Sequence, residues 1–285
     1  MIVFCKIYRK YLAVILAAVL VFSMTPLAGE AAGSRLENIL ARGTIDVATE
    51  PYFAPNEFID PSKQGDARYV GSDIEFAKYI AGKLGVKLRI VPVEFSAVLI
   101  GVTEGKYDLA ISSLAYTPAR AQAMNLSKGY YFSKSDQGHG LLVRKTDLPS
   151  VTGPESCAGK VVVAQSGSLQ ELFVNEQIPS YKEFKRVSST PDGFLMVQEK
   201  KADVCVTSKK TAELYIAANK ECGLALVPNF TFAQDEETLG TRIGIPPGET
   251  ELTERINQIV DEVVKNGVYE KWYDEYSEYA ASLGL

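Results

Sequence analysis

The chain has 285 residues, of which 46% are hydrophobic and 23% charged, with a formal net charge of -5 and an isoelectric point near 5.2. A chain of this length and composition can bury a sizeable core, and we expect it to form two lobes rather than one. Beyond its N-terminal segment it has no basic cluster, which argues against nucleic acid and anionic membrane surfaces as partners.

The N-terminal segment has the pattern of a secretory signal peptide. An apolar run at 12–24 follows a positively charged start, and small residues that suit a cleavage site lie near Ala31 and Ala32. We therefore expect a signal peptide at 1–32 and export to the periplasm or the cell exterior. An uncleaved signal anchor is the alternative, although the run is short for a membrane span. Because no cysteine follows the run at the position that a lipoprotein signal needs, we expect no lipid anchor.

The next part of the chain alternates helical and extended periodicities. We predict helices at 34–42, 73–84 and 96–104, and strands at 44–49, 86–93 and 107–111. Gly43 and Gly85 suit the ends of the first two helices. Strands separated by helices of about ten residues indicate a mostly parallel sheet.

A second series of the same kind starts near residue 160. We predict strands at 161–164, 203–206 and 224–227, helices at 169–175, 191–200 and 209–219, and C-terminal helices at 249–265 and 268–279. Extended, glycine-bearing segments at 138–144 and 240–246 flank this series. Two such connections between the series predict that the second lobe is inserted into the first, with a cleft between them. Lobe 1 would comprise 33–136 plus 243–285, and lobe 2 would comprise 137–242.

One segment combines a strand, hydroxyl groups and an arginine. The apolar run 109–111 would place Ser112 and Ser113 at the carboxyl end of a strand, where open α/β sheets bind ligands. Thr117 is suited to cap a short helix, and Arg120 follows one turn later, where its planar guanidinium can meet a carboxylate bidentately. The alternative is a buried strand, a polar turn and a solvated arginine.

Two aromatic residues and a turn accompany this segment. Phe53 and Phe95 follow the first and second predicted strands, so they would stand at the same sheet end as pocket walls. Taken alone, each of these phenylalanines would be interpreted as a core residue. In the second lobe the turn 165–168 leads into a helix whose first amides could hold a ligand carboxylate. The alternative is that Ser168 is a simple helix cap, and the two interpretations are compatible.

Cysteine and histidine are too sparse for a metal or thiol site. Without the signal segment the chain keeps Cys157, Cys205 and Cys222, which allow at most one disulfide; a bond between Cys205 and Cys222 and three buried thiols are both open. The spacing fits no metal motif, and His139 is the single histidine. We expect no metal, no other cofactor and no cysteine-histidine nucleophile.

Several motifs in order resemble the extracellular solute-binding proteins of family 3, the polar amino-acid receptors of ABC importers, which include lysine/arginine/ornithine- and histidine-binding proteins. The resemblance runs from about residue 40 to residue 276. The motifs are Gly71-Ser-Asp-Ile-Glu75, Gly105-Lys-Tyr-Asp-Leu109, Thr117-Pro-Ala-Arg120, Tyr130-Tyr-Phe132, Gly159-Lys-Val-Val-Val163, Gly167-Ser168 and Ala202-Asp-Val204. The resemblance implies a two-lobed α/β fold of the periplasmic-binding-protein type II class, with two mostly parallel sheets joined by two hinge strands.

The resemblance also implies a ligand site. In such a site Arg120 would clamp the ligand α-carboxylate with help from Ser113 and the amides of Ser168 and Leu169, and Glu50 would face a cationic side chain. The full set of predicted site residues is Glu50, Phe53, Phe95, Ser112, Ser113, Ala115, Arg120, Ser168, Leu169 and Ser208. Lobe closure would bury the ligand, and the closed form would dock on a membrane permease. We expect a monomer with no catalytic residues.

Two positions depart from the family pattern. Ser208 stands where the family usually presents an aspartate to the ligand ammonium, and Ala115 replaces a frequent hydroxyl or small polar residue. An ammonium left unpaired in a closed cleft is costly. Either another acid substitutes, with Glu50, Glu57, Glu94 and Asp235 as candidates, or the ligand lacks a standard α-amino group.

We therefore predict a transport receptor for a small amino-acid-like solute. The alternatives are an enzyme similar to cyclohexadienyl dehydratases, with Glu50 or Glu94 as an acid or base, and an extracytoplasmic sensory module.

Overall fold

The computed structural model describes residues 33–132, 138–236 and 239–284. Within these ranges the chain forms two five-stranded sheets with packed helices and one small three-stranded sheet. The predicted signal peptide at 1–32 lies outside the described residues. Among the helices of the described ranges, none combines the length and the apolar character that a membrane crossing requires.

The first half of the chain alternates helices and strands as predicted. Its elements are α1 (Arg35–Arg42), β1 (Thr44–Thr49), β2 (Tyr52–Phe53), β3 (Glu57–Ile59), β4 (Tyr69–Val70), α2 (Ser72–Leu84), β5 (Lys87–Pro92), α3 (Phe95–Thr103), β6 (Leu109–Ala115), α4 (Pro118–Ala123) and β7 (Asn125–Leu126). Local signals set several of the boundaries. Ser34 and Glu37 form a capping box at the start of α1, and Gly43 ends this helix in the left-handed conformation.

The second half repeats the pattern and ends in two long helices. Its elements are β8 (His139–Arg144), β9 (Val161–Gln165), α5 (Leu169–Gln177), β10 (Glu183–Val187), α6 (Thr190–Gln198), β11 (Val204–Ser208), α7 (Lys209–Ala218), β12 (Leu224–Leu226), β13 (Thr241–Ile245), α8 (Thr250–Lys265) and α9 (Val268–Leu283). The helices α5, α6 and α7 all begin at a serine, Ser168, Ser189 and Ser208, whose side chain accepts a hydrogen bond from a first-turn amide.

The two large sheets have the same plan. The first has the strand order β5-β1-β6-β13-β7 and the second the order β10-β9-β11-β8-β12. In each sheet three neighbouring strands are parallel and the fourth is antiparallel to both of its neighbours. The antiparallel strands β8 and β13 are the first strands after each crossing between the sheets. This arrangement confirms the predicted two-lobed α/β fold.

Strand β6 is longer than the sequence predicts. We expected it to end at residue 111, whereas it continues through Ser112 and Ser113 to Ala115. The extension depends on β13, because Thr241 pairs with Ala115 and Arg242 with Leu114 before the register shifts. Strand β10 was not predicted either, since only its pairing with β9 identifies this partly exposed edge segment as a strand.

Each lobe has its own apolar core. In the first, β1 and α2 bury Ile45, Phe76 and Ile80 against α8 and α9. In the second, the two faces of the sheet carry separate clusters, represented by Leu141 and Leu142. The thiols of Cys157, Cys205 and Cys222 are buried and form no disulfide, so the second of the two alternatives left open by the sequence is the observed one. Burial raises the pKa of Cys157 to about 11, which keeps this thiol protonated.

The lobes also pack on each other. A small cluster joins Ala54, Phe58 and Ala280 of the first lobe to Leu214 of α7 in the second. Beside it the Thr211 hydroxyl donates a hydrogen bond of 3.2 Å to the Ala54 carbonyl oxygen. The apolar contact and this hydrogen bond stabilise the packing of the lobes on each other.

Gly71 is a position where only glycine fits, since its φ is 129° and a Cβ atom there would lie 2.1 Å from the Asn56 carbonyl oxygen. We expect Gly71→Ala to lower the free energy of unfolding by at least about 2 kcal/mol, because both backbone strain and overpacking oppose it. The matched control is Gly82→Ala in α2, where an added Cβ meets no atom within 4 Å. This control should raise the free energy of unfolding by about 0.5–1 kcal/mol. Denaturant unfolding of both variants measures the difference, and equal effects would contradict the packing at Asn56.

Candidate functional site

A cavity of about 230 Å³ lies between the lobes. All ten predicted site residues line it: Glu50, Phe53, Phe95, Ser112, Ser113, Ala115, Arg120, Ser168, Leu169 and Ser208. Further lining residues outside the predicted set include Asn56, Tyr131, His139, Gln165, Lys210 and Tyr273. The structure thus brings the predicted residues to one place, and their individual roles toward a ligand stay predictions.

Arg120 is a buried cation that bridges the lobes. Thr117 caps α4 by accepting the Arg120 amide, which fixes the start of the helix. The guanidinium donates to the Ala115 carbonyl at 2.8 Å and, across the cleft, to the Gly167 carbonyl at 3.0 Å. No described carboxylate pairs with it, and burial lowers its pKa to about 10. Its remaining N–H groups are therefore available to an anion that enters the cavity.

Aromatic rings form part of the wall. Phe95, the first residue of α3, is buried with its ring centroid 5.4 Å from the Arg120 guanidinium carbon. Phe53 lies half-buried on β2. Tyr131 and Tyr273 stack at 4.4 Å between centroids, and both line the cavity. Tyr273 is also part of the first core.

Two buried glutamates form an acidic wall around Ser112. The Ser112 hydroxyl donates to Glu57 Oε1 at 2.9 Å and accepts the Glu50 amide at 3.0 Å. Glu50 and Glu57 are only 2% and 1% exposed. One carboxyl oxygen of each has no hydrogen-bond partner among the described residues. Two buried acids with spare acceptor oxygens suit a cationic or hydrogen-donating group of a ligand.

A third carboxyl, Asp73, supports this wall from behind. Asp73 is fully buried and accepts the amide of Ser113 at 2.7 Å, the hydroxyl of Tyr130 at 2.8 Å and that of Tyr269 at 2.5 Å. Ser113 thus directs its amide toward Asp73 rather than toward the cavity, with φ of 49°. Any contact of Ser113 with a ligand carboxylate, as predicted, would therefore come from its side chain and not from its amide.

The pKa values of the acids reflect burial without a cation. Burial raises the pKa of Glu50 from 4.5 to about 8, opposed by a side-chain hydrogen bond with Gln165. Burial also raises the pKa of Glu57 well above its usual range, and the nearby charges of Asp73 and Glu50 add to the effect. Near neutral pH Glu50 therefore carries a proton while the site holds no cation.

The second lobe supplies a wall with no acid among its described residues. Ser168 and Ser208 cap α5 and α7, so both helix N-termini face the cavity. The Ser168 hydroxyl donates to the Gln165 carbonyl at 2.7 Å and accepts the Glu171 amide. The Ser208 hydroxyl accepts the Thr211 amide at 3.4 Å. Lys210 lines the same wall, so the second lobe presents positive polarity to the cavity.

Two of the four acids proposed to substitute at Ser208 lie elsewhere. Glu94, directly before α3, and Asp235, after β12, are exposed and are not among the residues that line the cavity. Glu50 and Glu57 are the candidates that the cavity retains. Among the described ranges, no three His, Cys, Asp or Glu side chains are grouped to hold a metal ion.

Comparison with known proteins gives a family match. The model of the bacterial extracellular solute-binding proteins, family 3, matches residues 45–279. The arginine-binding extracellular protein ArtP of Bacillus subtilis is 27% identical over 270 residues, which is 92% of this chain and 96% of that protein. The lysine/arginine/ornithine-binding periplasmic protein of Escherichia coli is 26% identical, with 83% and 88% covered.

Solved structures agree with this match. An amino acid ABC transporter substrate-binding protein from Streptococcus pneumoniae bound to L-arginine superposes with a TM-score of 0.74 at 27% identity, covering 86% of this chain and 98% of that chain. The ancestral amino acid-binding protein AncCDT-1, a precursor of cyclohexadienyl dehydratase, gives a TM-score of 0.72 at 27% identity, with 85% and 99% covered.

The raised pKa of Glu50 predicts a pH dependence of stability. Because the folded state holds this proton up to about pH 8 while the unfolded state loses it near 4.5, the stabilising contribution is complete at low pH and is lost as the pH rises between these values. Between about pH 5 and pH 8 the melting temperature of the wild type should fall by a few degrees more than that of Glu50→Gln. The exposed Glu94→Gln is the control and should follow the wild type. Parallel profiles of all three proteins would contradict the raised pKa.

Proposed function

Because the chain belongs to the bacterial extracellular solute-binding proteins of family 3, we propose that it binds a small amino-acid-like solute by its carboxylate at Arg120 and delivers it to an ABC importer. The main support for this proposal is the buried guanidinium of Arg120. It has no acidic partner among the described residues and retains free donors toward the cavity. A buried charge of this kind is destabilising unless an anion completes it.

The acidic wall around Ser112 favours a cationic group in the ligand. Glu50 and Glu57 are buried, form no ion pair among the described residues, and retain acceptor oxygens toward the cavity. A ligand cation would stabilise their ionised forms and would be stabilised in return. Relatives named for arginine or for lysine, arginine and ornithine agree with such a ligand. We therefore propose a carboxylate with a basic group as the ligand class.

Binding and closure are coupled in this proposal. Arg120 of the first lobe bonds to Gly167 of the second, so a carboxylate held at Arg120 lies where the lobes meet. Hinge closure around a ligand is the usual motion of two-lobed binding proteins. We propose that lobe 1 comprises 33–136 plus 243–285 and lobe 2 comprises 137–242, and that the closed form docks on a permease as a monomer. Export by a signal peptide at 1–32, with or without a retained anchor, belongs to the same proposal.

Arg120→Ala should lower affinity for the ligand at least about tenfold, equivalent to 1.4 kcal/mol, because the carboxylate loses a charge-assisted bidentate partner. A thermal-shift screen against the standard amino acids and guanidino and amino carboxylates first identifies a binding compound, since a ligand of the folded state raises its melting temperature. Titration calorimetry with that compound then compares the variants.

Arg89→Ala is the matched control. Arg89 lies on β5, pairs with Asp46 at the surface and does not line the cavity, so its removal should leave the affinity unchanged. If Arg120→Ala bound the compound as tightly as the wild type, the carboxylate would not be held at Arg120.

A second candidate function is a dehydratase-like enzyme on the same fold. Its specific support is that Glu50 lines the cavity with its pKa raised to about 8, which suits a general acid near neutral pH. The likeness to a binding precursor of cyclohexadienyl dehydratase fits either function. Incubation of the purified protein with prephenate and arogenate, followed by chromatography of the products, separates the two: Glu50-dependent turnover would replace the receptor proposal.

A further inference from the structure

Glu50 has a buried carboxyl group whose hydrogen-bonding capacity is only partly used. The residue directly follows β1, lines the cavity and is only 2% exposed. Its Oε1 atom is buried and has no hydrogen-bond partner among the described residues. No basic side chain of the described ranges is among the groups that shift its pKa. A buried carboxylate without a cation beside it is unfavourable, whereas the protonated acid is not.

The groups that surround Glu50 are acidic or neutral. Glu57 on β3 is joined to Glu50 through Ser112, and Asp192 in the first turn of α6 adds a further negative charge. From the second lobe, the side chain of Gln165 hydrogen-bonds to Glu50. Burial and the charge of Asp192 both oppose ionisation, and the pKa of Glu50 rises to about 8. At neutral pH Glu50 therefore keeps its proton unless a cation comes into contact with it.

Several other titratable groups face the same cavity or support its acidic wall. Those that line the cavity besides Glu50 are Glu57, Arg120, Tyr131, His139, Lys210 and Tyr273. Asp73 packs behind Glu57 and accepts hydrogen bonds from the hydroxyls of Tyr130 and Tyr269. Arg120 keeps its charge at neutral pH, because its pKa is about 10. Histidine changes its protonation near neutral pH, so His139 is a competing source of any proton that moves on binding.

A ligand cation changes the protonation of Glu50. A positive group in contact with this residue favours the carboxylate over the carboxylic acid, whereas a neutral group leaves the proton in place. When the cation binds, the O–H bond of the acid breaks, its electron pair stays on the carboxylate, and the proton goes to solvent. The positive charge of the ligand thus takes the place of the proton beside the same oxygen atoms.

We propose, building on the proposed function, that Glu50 determines specificity by exchanging its proton for the cationic group of the ligand. A guanidino or amino group then binds with release of a proton, whereas a neutral group of the same shape releases none. Because free Glu50 is protonated below about pH 8 and ionised in the complex, each pH unit below that value costs a cationic ligand up to about tenfold in affinity. Discrimination between cationic and neutral ligands is therefore weak in acid and strong above neutral pH.

Two pairs of compounds test the exchange. L-citrulline replaces the guanidinium of L-arginine by a neutral ureido group, and L-norleucine replaces the terminal ammonium of L-lysine by a methyl group. Titration calorimetry at about pH 7 in phosphate and in Tris, which differ in ionisation enthalpy, counts the protons released. The cationic member that binds should release about one proton and bind at least about tenfold more tightly at pH 8 than at pH 6. Its neutral partner should release none and should show no such dependence on pH.

Substitution of Glu50 by its amide assigns the proton. Glu50→Gln has the size of the protonated acid, so at about pH 6 its melting temperature and its affinity for the cationic compound should match the wild type within about threefold in affinity. It should release no proton and lose the gain in affinity at about pH 8. Loss of binding by this variant at pH 6, or a proton release that it retains, would contradict the role of Glu50.

Two further variants serve as controls for the proton count. Glu94→Gln removes an exposed acid that does not line the cavity, so it should keep the release and the pH dependence of the wild type. His139→Gln should keep the release as well, because the proton comes from Glu50. If His139→Gln abolished the release, the histidine and not the acidic wall would be its source, and the exchange at Glu50 would be ruled out.

The outcomes separate the proton exchange from the proposed function. If L-arginine or L-lysine binds with dependence on Arg120 but releases no proton, the receptor proposal stands and the exchange is wrong. If neither binds while a neutral carboxylate binds through Arg120, the carboxylate anchor stands and the exchange is again wrong. If no carboxylate of the thermal-shift screen binds, both are wrong.

Discussion

The arrangement of this protein depends on one buried positive charge that its described residues do not neutralise. Arg120 lies in the first turn of α4, the short helix that follows β6, and reaches the Gly167 carbonyl of the other lobe, so its charge is placed where closure would exclude water. A cation in that position weakens the closed state until an anion joins it. In the proposed function, the residue that would bind the ligand carboxylate would thereby also make closure depend on the ligand.

The same cavity also has an acidic wall, which is built from buried carboxyl groups. Glu57 and Asp73 are buried next to each other, and Asp73 takes hydroxyl hydrogen bonds from Tyr130 and Tyr269. Tyr269 belongs to α9, so the C-terminal helix helps to fix the position of the acids. Burial raises the pKa of both carboxyls, and the hydroxyl and amide donors around Asp73 oppose the rise at that residue.

The sequence predicted what depends on local chemistry. The helix ends at Gly43 and Gly85 and the start of α4 at Thr117 follow from backbone conformation and capping, which a short window of sequence contains. The prediction was wrong where pairing between strands that are distant in the sequence determines the structure. Strand β6 continues past residue 111 because β13, more than a hundred residues later, pairs with its end, and this extension turns the Ser113 amide toward Asp73. The pattern and the resemblance together supplied the ten lining residues, but neither showed that Glu57 is buried with no cation among its described neighbours.

The repeated topology explains how a wall with no acid among its described residues can still favour an anion. In the second sheet β9 and β11 are parallel neighbours, so the helices that follow them, α5 and α7, begin at the same sheet edge. Their N-termini therefore converge on the cavity that Arg120 and Lys210 also line. Backbone dipoles need no particular side chain, so this anion preference persists whichever residue occupies the caps.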